Sequence, residues 1–342
     1  MKIKNKTTKL NFFKKLFVKF SRLLNFEIID QSSFYLPTSE RDGDTNLSKI
    51  GEESLIIPMG RVNISRPVRS LDIIIRTCTS VEMLSQTKKR IFEEKKEEYS
   101  IRTLNSIINS INNNKEILEK IKIKLTIVDH NSGEDVLNKF GDILDQQKFE
   151  SEIIKLNIEK DKKHINKINE EGKEVTKNQI SNMSNINQSL DIAKNCEDLV
   201  YLVEDDYLHK DDAIEEMIFT YERISSLLGK ELILCPIDYP YLYNNIDKSN
   251  ILLGNKYHWR SVEETLCTFL TSKKLINQYW DQFVSTCKFE HYPFEKPFHN
   301  IYKKELCISP MPSLAVHFTN INSAYGLSPL INYREIWEKN KK

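Results

Sequence analysis

The chain has 342 residues, of which 39% are hydrophobic and 29% charged, a composition that excludes disorder along its whole length and is typical of a globular protein. Its 50 Lys and Arg residues nearly cancel its 49 Asp and Glu residues, so no overall field of one sign attracts nucleic acid. The six cysteines show no CxxC spacing and fall mostly in apolar stretches, which favours a reducing, cytoplasmic compartment.

The amino terminus predicts a basic amphipathic helix within residues 1–26. Five apolar residues share one helical stripe, and the basic residues lie mostly off it; the stripe consists of Leu10, Phe13, Phe17, Phe20 and Leu24. Charges interrupt the apolar run and no small-residue cleavage site follows, so the segment is not typical of a signal peptide. Two interpretations stay open: an in-plane anchor on the cytoplasmic face of a membrane, or a terminal helix packed on the main domain.

Residues 27–70 mix short apolar runs with turn-forming residues and predict an irregular connection. Apolar runs and helical patterns then alternate over residues 71–325, which predicts the main domain, and residues 326–342 follow as a tail. Within this domain, residues 159–185 are polar and short of apolar anchors, which predicts a mobile loop. The predicted strands occupy 71–80, 124–135, 151–158, 198–209 and 231–237, with a late strand near 307–319.

This alternation predicts an α/β fold with a mainly parallel sheet and helices on both faces. Ligands of such sheets bind beyond the carboxyl ends of the strands. The rule selects the polar residues that follow the apolar runs, namely Arg76, Thr77, Asp129, His130 and the acids 204–206.

The clearest local feature is the segment VYLVEDDYLH, in which Glu204, Asp205 and Asp206 directly follow an apolar run. Three adjacent carboxylates repel one another unless a cation or hydrogen-bond donors offset their charge. A divalent ion held by one or two carboxylates leaves room for phosphate oxygens and water. The alternative is a solvated acidic turn before the helix predicted from residue 211.

This segment resembles the DxD motif of inverting GT-A glycosyltransferases, glycosyltransferase family 2 in the broad sense, over residues 71–320. The resemblance implies a GT-A (Rossmann-like) fold, a Mn²⁺ or Mg²⁺ ion and a nucleoside-diphosphate sugar donor, with UDP as a guess. It places Glu204 near the donor ribose, Asp206 on the metal and Asp205 between them at the donor site. Glu in place of the first Asp departs from the family pattern.

Further residues follow in the family's order. Arg76 and Thr77 stand where the nucleotide base would lie, although the family more often has Pro there. Asp129 matches the acid that hydrogen-bonds the base. Asn187 matches the Asn that opens the helix before the DxD strand, whose terminus would help to hold the diphosphate. His317 matches the His that completes the metal site, and imidazole with carboxylate suits Mn²⁺.

Inversion requires a carboxylate that takes a proton from the acceptor hydroxyl. Glu295 is the first candidate, since its spacing from Asp206 and His317 is similar to the family's layout. Glu264, at a second predicted helix start, is the other candidate, but it lies fewer residues after Asp206 in the chain than the family's base does. Ordinary helix-start acids explain both residues equally well. Aromatic and cationic residues suited to a sugar acceptor follow the strand at 231–237, namely Tyr239, Tyr241, Tyr243, Trp259 and Arg260.

Two other classes of protein stay open. A nucleotidyltransferase also places carboxylates and a divalent ion at a strand end, but its Gly-rich phosphate loop is missing from RTCTSVEML. A non-catalytic scaffold at a membrane surface is the third reading. The acceptor, whether a glycan, a lipid-linked sugar or a protein, cannot be chosen from the residues.

Overall fold

The computed structural model describes residues 12–26, 48–56, 60–80, 91–244, 248–319 and 321–341. The described elements are, in chain order, α1 (Phe12–Leu23), β1 (Glu53–Ile56), β2 (Gly60–Asn63), β3 (Ser70–Thr77), α2 (Lys96–Asn112), α3 (Lys115–Lys120), β4 (Lys122–Asp129), α4 (Glu134–Leu144), β5 (Glu150–Lys155), α5 (Ile158–Asp161), α6 (Lys177–Asn195), β6 (Leu199–Glu204), β7 (Tyr207–His209), α7 (Ala213–Leu228), β8 (Ile233–Leu234), a 3₁₀ helix (Pro240–Tyr243), β9 (Ile251–Leu253), β10 (His258–Ser261), β11 (Phe269–Ser272), α8 (Lys273–Gln278), α9 (Trp280–Lys288), α10 (Lys296–Tyr302), β12 (Cys307–Met311), β13 (Ala315–His317) and α11 (Tyr333–Lys339).

The central sheet has nine strands in the order β5-β4-β3-β6-β11-β8-β12-β10-β9. The strands β5, β4, β3 and β6 are parallel, because helices connect them and carry the chain back to the same end. The other half is mixed. There β11 runs antiparallel between β6 and β8, and β9 and β10 form a hairpin. The parallel order predicted for the sheet therefore describes its amino-terminal half.

Helices cover both faces of the sheet, because alternate strand side chains point to opposite sides. Ile73 and Ile75 of β3 pack in a core with apolar residues of α2, α4 and α7. Ile74, between them, packs in a second core with residues of α6, α8, α9 and α10. This two-sided burial confirms the α/β class and explains the nearly unbroken apolar runs of β3, β4 and β6.

The segment before β3 is more ordered than the irregular connection that the sequence predicts for residues 27–70, of which residues 27–47 lie outside the described part. Strands β1 and β2 form an antiparallel ribbon. The buried carboxylate of Glu222 on α7 accepts hydrogen bonds from the N–H groups of Gly51 (2.9 Å) and Val68 (2.8 Å). These bonds join the ribbon to the main domain, and Gly51, one of the turn-forming residues of this stretch, lies in the turn before β1.

The carboxyl-terminal segment, predicted as a tail from residue 326, packs on the main domain through α11. Trp337 is buried, with its ring stacked on Phe92 at 4.4 Å between centroids. The Arg102 guanidinium lies 3.9 Å from the same ring. Trp337 is the fully buried apolar residue of this segment, and Leu327, Ile331, Tyr333 and Ile336 pack around the same cluster. Their partners lie elsewhere in the chain, so the sequence pattern alone does not show this contact.

Residues 159–185, predicted as a mobile loop, are partly helical. Helix α6 begins at Lys177, where the Thr176 hydroxyl accepts a hydrogen bond from the Gln179 N–H at 3.1 Å. Ile165, Val175 and Met183 form a small buried cluster that holds this segment. These anchors are widely spaced among Lys, Asn and Glu, so the polar composition hides them.

Candidate active site

Two ion-paired side chains mark the carboxyl edge of the parallel strands. Because β3 and β6 pair in parallel register, Arg76 lies opposite Glu204. The Arg76 Nη2 atom is 3.0 Å from Glu204 Oε1, and its Nη1 donates to Asn182 Oδ1 at 3.0 Å. Arg76 is buried, so its charge is directed at Glu204 and Asn182 rather than at solvent. This is the edge where ligands of α/β sheets bind.

The structure also brings Asp206 and His317 together. Strand β13 pairs antiparallel with β7 so that His317 lies opposite Tyr207, and the two rings stack at 4.6 Å between centroids. His317 Nε2 then lies 3.4 Å from Asp206 Oδ2. The other ring nitrogen, Nδ1, donates to the Tyr325 carbonyl at 3.0 Å. This bond fixes the ring so that Nε2 faces Asp206 and the site.

The charges of this pair are strongly shifted. Burial alone would raise the pKa of Asp206, but His317 and the hydroxyl of Thr319, which donates to Oδ2, together lower that pKa to about 2. Burial also acts to lower the pKa of His317, and the Asp206 carboxylate outweighs it and raises that pKa. The pair therefore favours an ionised Asp206 carboxylate beside a protonated His317 ring.

These two side chains suit a divalent cation. Carboxylate oxygen and imidazole nitrogen are the donor types that Mn²⁺ accepts, and a separation of 3.4 Å suits two neighbouring ligands of one ion. Within the described ranges, no group of three or more His, Cys, Asp or Glu side chains is arranged to hold a metal. Asp206 and His317 would thus supply two ligands, and the oxygens of a ligand and water would supply the rest.

The remaining two acids of the motif have different surroundings. Glu204 is partly exposed, accepts a hydrogen bond from the Thr268 hydroxyl at 3.4 Å, and has a pKa raised by burial against the opposing effect of Arg76. Asp205 is buried and accepts from Ser100 Oγ at 2.8 Å and from the N–H group of Cys78 at 3.3 Å. Glu204 therefore lies with Asp206 at the site, whereas Asp205 holds the loop after β3.

Asp129 and Thr77, the predicted base-binding residues, are adjacent and bonded to each other. Thr77 Oγ1 donates to Asp129 Oδ1 at 2.7 Å. Ser132 donates to the same carboxylate through its hydroxyl and, at 3.1 Å, through its N–H group. Both carboxylate oxygens have protein partners, so contact with a base would use their remaining lone pairs. The base-binding role of both residues stays a prediction.

Asn187 does not open a helix, contrary to the sequence prediction. It lies in the middle of α6, which begins ten residues earlier at Lys177, and its amide donates to Asp161 Oδ1 at 2.9 Å. The amino terminus of α6 is therefore not available at Asn187 to hold a diphosphate. On this helix it is Asn182 that contacts the site, through Arg76.

Glu295 lies at the amino-terminal cap of α10 and is half-buried beside Cys267, whose Sγ is 3.9 Å from Oε1. Burial raises the pKa of Glu295 to about 7; nearby Glu204 adds to the shift and Arg76 opposes it. Glu295 therefore shares one electrostatic environment with the residues at the strand ends. A carboxyl group with this pKa exchanges protons at neutral pH.

Glu264 is an exposed residue of the loop between β10 and β11, and the predicted helix start at this position is wrong. The residues that follow this loop form β11, which pairs with β6 and β8. Tyr325 donates its hydroxyl to Glu264 Oε2 at 3.2 Å, and the Tyr325 carbonyl binds His317. Tyr325 therefore connects Glu264 to the Asp206–His317 pair.

The predicted acceptor-binding aromatics divide into two groups. Trp259 is fully buried and donates to Glu216 at 3.0 Å, and Arg260 is buried in an ion pair with Asp238, so neither offers a face to a sugar. The side chains of Tyr239 and Tyr241 pack with Tyr325, at 5.3 and 5.0 Å between ring centroids. Tyr243 is the exposed member, with 54% of its surface accessible.

Four residues of this site carry no signal that the sequence analysis could use, namely Asn182, Thr268, Thr319 and Tyr325. Each acts through a hydroxyl, an amide or a backbone carbonyl. Asn182, Thr268 and Thr319 lie at least 64 residues along the chain from their partners, and Tyr325 lies eight residues from His317. Only Thr319, two residues after His317, is close to a predicted position.

Among solved structures, S. aureus TarS matches with 12% identity and a TM-score of 0.34 over 61% of this chain and 29% of that chain. The galactosyltransferase LgtC, in complex with donor and acceptor sugar analogues, matches with 13% identity and a TM-score of 0.36 over 72% and 86% of the two chains. UDP-glucose pyrophosphorylase from Acinetobacter baumannii matches with 8% identity and a TM-score of 0.39 over 80% and 92%. No protein family and no curated protein matches the sequence. These similarities are too weak to transfer an activity, so function rests on the geometry of the site.

Proposed function

We propose that this chain is a metal-dependent glycosyltransferase that moves a sugar from a nucleoside-diphosphate sugar to an acceptor hydroxyl with inversion. The observation that carries the proposal is the 3.4 Å approach of His317 to Asp206. Glu204 interacts electrostatically with this pair, and Glu295 interacts in turn with Glu204. A cation-binding pair, an exposed carboxylate and a proton acceptor together meet the needs of a glycosyl transfer from a diphosphate leaving group.

Donor binding would use the strand-end residues. Asp206 and His317 would hold Mn²⁺ or Mg²⁺, which as a Lewis acid neutralises charge on a departing diphosphate. Glu204 is available to hydroxyl groups of the donor ribose, since 30% of its side chain is exposed and Arg76 fixes its orientation at 3.0 Å. Burial of Arg76 keeps this ion pair away from solvent, where it would be weaker.

Glu295 would serve as the base. The acceptor hydroxyl oxygen forms a bond to the anomeric carbon, the bond from that carbon to the diphosphate oxygen breaks, and the hydroxyl proton moves to Glu295. Attack from the face opposite the leaving group inverts the anomeric centre. The pKa of about 7 keeps a useful fraction of Glu295 ionised at neutral pH and makes it a strong enough base for this step. Glu264 is the second candidate for the base.

The experiment is donor hydrolysis by the purified chain, measured as free nucleoside diphosphate, with a panel of nucleotide sugars and Mn²⁺. We expect slow hydrolysis of at least one donor, dependent on the metal and lost in Asp206→Asn. The matched control is Asp142→Asn, an exposed acid of α4 that leaves activity unchanged. Hydrolysis that survives Asp206→Asn contradicts the proposal. If the chain instead releases pyrophosphate from a nucleoside triphosphate and a sugar phosphate, its activity is nucleotidyl transfer and the proposal is wrong.

A further inference from the structure

Exposed apolar side chains are concentrated in α1 and the three residues after it. Of the fourteen exposed large hydrophobic residues in the described part of the chain, eight fall within residues 12–26, namely Phe12, Phe13, Leu16, Phe17, Phe20, Leu23, Leu24 and Phe26. Each is between 55% and 82% accessible. Contiguous apolar surface of this kind marks an interaction site in a soluble protein.

The exposed large apolar residues of this helix lie on one side. At 3.6 residues per turn, the seven from Phe12 to Leu24 fall within an arc of about 140°. The opposite side carries the basic residues Lys19 and Arg22, together with Ser21 and Val18. A wide apolar stripe opposite a basic face is the pattern of a helix that lies in the plane of a membrane interface. No helix in the described residues is long and apolar enough to cross a bilayer.

The net charge of residues 1–26 differs in sign from that of the rest of the chain. Residues 1–26 contain eight basic and no acidic residues, a charge of +8, whereas the whole chain carries +1, so the remaining residues carry −7. A second copy that packed its apolar arc against this one would leave both basic faces pointing outward, without an opposite charge to meet them. An acidic bilayer surface instead attracts the basic side chains while acyl chains accept the Phe and Leu side chains.

We propose that the surface of α1 binds the interface of a bilayer that contains anionic headgroups, and so holds the chain at a membrane surface. This inference is independent of the proposed enzymatic activity. It commits to a lipid bilayer rather than to a protein partner, because both the apolar arc and the basic face of one short helix then have complementary surroundings.

The test is co-sedimentation of the full chain with vesicles of phosphatidylcholine alone or with about 30% phosphatidylglycerol. We expect at least about tenfold stronger partitioning to the anionic vesicles, weakened by about 0.5 M salt because screening removes the electrostatic part. The double variant Phe13→Asp/Phe17→Asp should lose at least about tenfold in partitioning, since it places charges in the apolar arc. Its thermal unfolding should match the wild type.

The matched control is Leu330→Asp/Ile251→Asp, which makes the same chemical change at two exposed apolar residues, 98% and 59% accessible, outside α1. This control should bind anionic vesicles like the wild type. The proposal is overturned if the α1 variant binds as well as the wild type or if neither protein binds anionic vesicles. It is also overturned if light scattering shows a dimer that α1 mediates and that vesicles do not displace.

Discussion

At the scale of single residues, three adjacent acids have three different functions because the chain turns sharply after β6. Glu204 pairs with Arg76, Asp205 holds the loop after β3, and Asp206 faces His317. The sequence indicates the acidic cluster, and its family resemblance implies the roles of the first and last members. It could not separate Asp205 from the other two, because the direction of each side chain depends on partners more than 100 residues away along the chain.

The first prediction concerns Glu295 as the base. Because its pKa is raised to about 7 from an ordinary value of 4.5, its ionised fraction grows as pH rises through 7. We expect kcat/KM for transfer to rise over this range and to level off above it. Glu295→Gln should lower kcat by about 10²–10⁴-fold and remove this pH step. Glu264→Gln is the paired variant. If it loses the rate and Glu295→Gln does not, the base is Glu264.

The second prediction concerns Gly254, in the turn between β9 and β10. A Cβ atom here would lie 2.4 Å from both Thr220 Oγ1 and Trp259 Nε1 and 2.5 Å from Glu216 Oε1. These groups are buried and bonded to one another, so Gly254→Ala should lower the free energy of unfolding by about 2–4 kcal/mol. Urea denaturation measures this.

The control for Gly254 is Gly141→Ala, in the interior of α4, where a Cβ atom meets nothing within 4 Å. This change should leave the protein as stable or more stable, by up to about 1 kcal/mol, because Ala favours the helix. Equal effects of the two substitutions would contradict the close packing at Gly254.

At the scale of elements, the buried strands β3, β4 and β6 are the part that the sequence predicts best. Each is a run of apolar residues that ends in a polar group. The strands β3, β6 and β4 end three, five and six residues before the ends predicted for them. The hairpin strands β9 and β10 have three and four residues, too few to show a period, and β8 is a two-residue strand within the predicted strand at 231–237. The pairing of β13 with β7, which positions His317, depends on two three-residue strands, so the sequence could suggest this contact only through the family resemblance.

The third prediction concerns the attachment of the β1–β2 ribbon to α7 through Glu222. Burial raises the pKa of Glu222 to about 7, although the N–H groups of Gly51 and Val68 oppose the shift. The folded state therefore binds more protons than the unfolded state between pH 4.5 and 7, and this group's contribution to stability falls as pH rises through that window. The shift corresponds to about 3 kcal/mol.

Glu222→Gln removes this titration. We expect the difference in unfolding free energy between wild type and variant to change by up to about 3 kcal/mol from pH 4.5 to pH 8, in favour of the variant at high pH. Glu295 titrates in both proteins and cancels in the difference. The control Glu197→Gln, at a side chain that is 59% exposed, should show no such change. A constant difference for Glu222→Gln would show that its pKa is not raised.

At the scale of the whole molecule, one sheet with helices on both faces buries nearly all of the thiols. The six cysteines are free, five are buried, and Cys78 alone is partly exposed, at the loop after β3 beside the strand-end site. We expect a thiol reagent to modify one cysteine of the native chain quickly and the others only on unfolding. Cys78→Ser should remove the fast reaction. Fast reaction of two or more thiols would contradict the packing of the two cores.

The central claim is that Asp206 and His317 bind one divalent ion. The most direct measurement is a crystal structure of the chain with Mn²⁺ and a nucleoside diphosphate, with the ion located by its anomalous scattering. We expect a single manganese peak bonded to Asp206 Oδ2 and His317 Nε2, with diphosphate oxygens in its remaining positions. A manganese peak elsewhere, or a bound diphosphate with no metal between these two side chains, would contradict it.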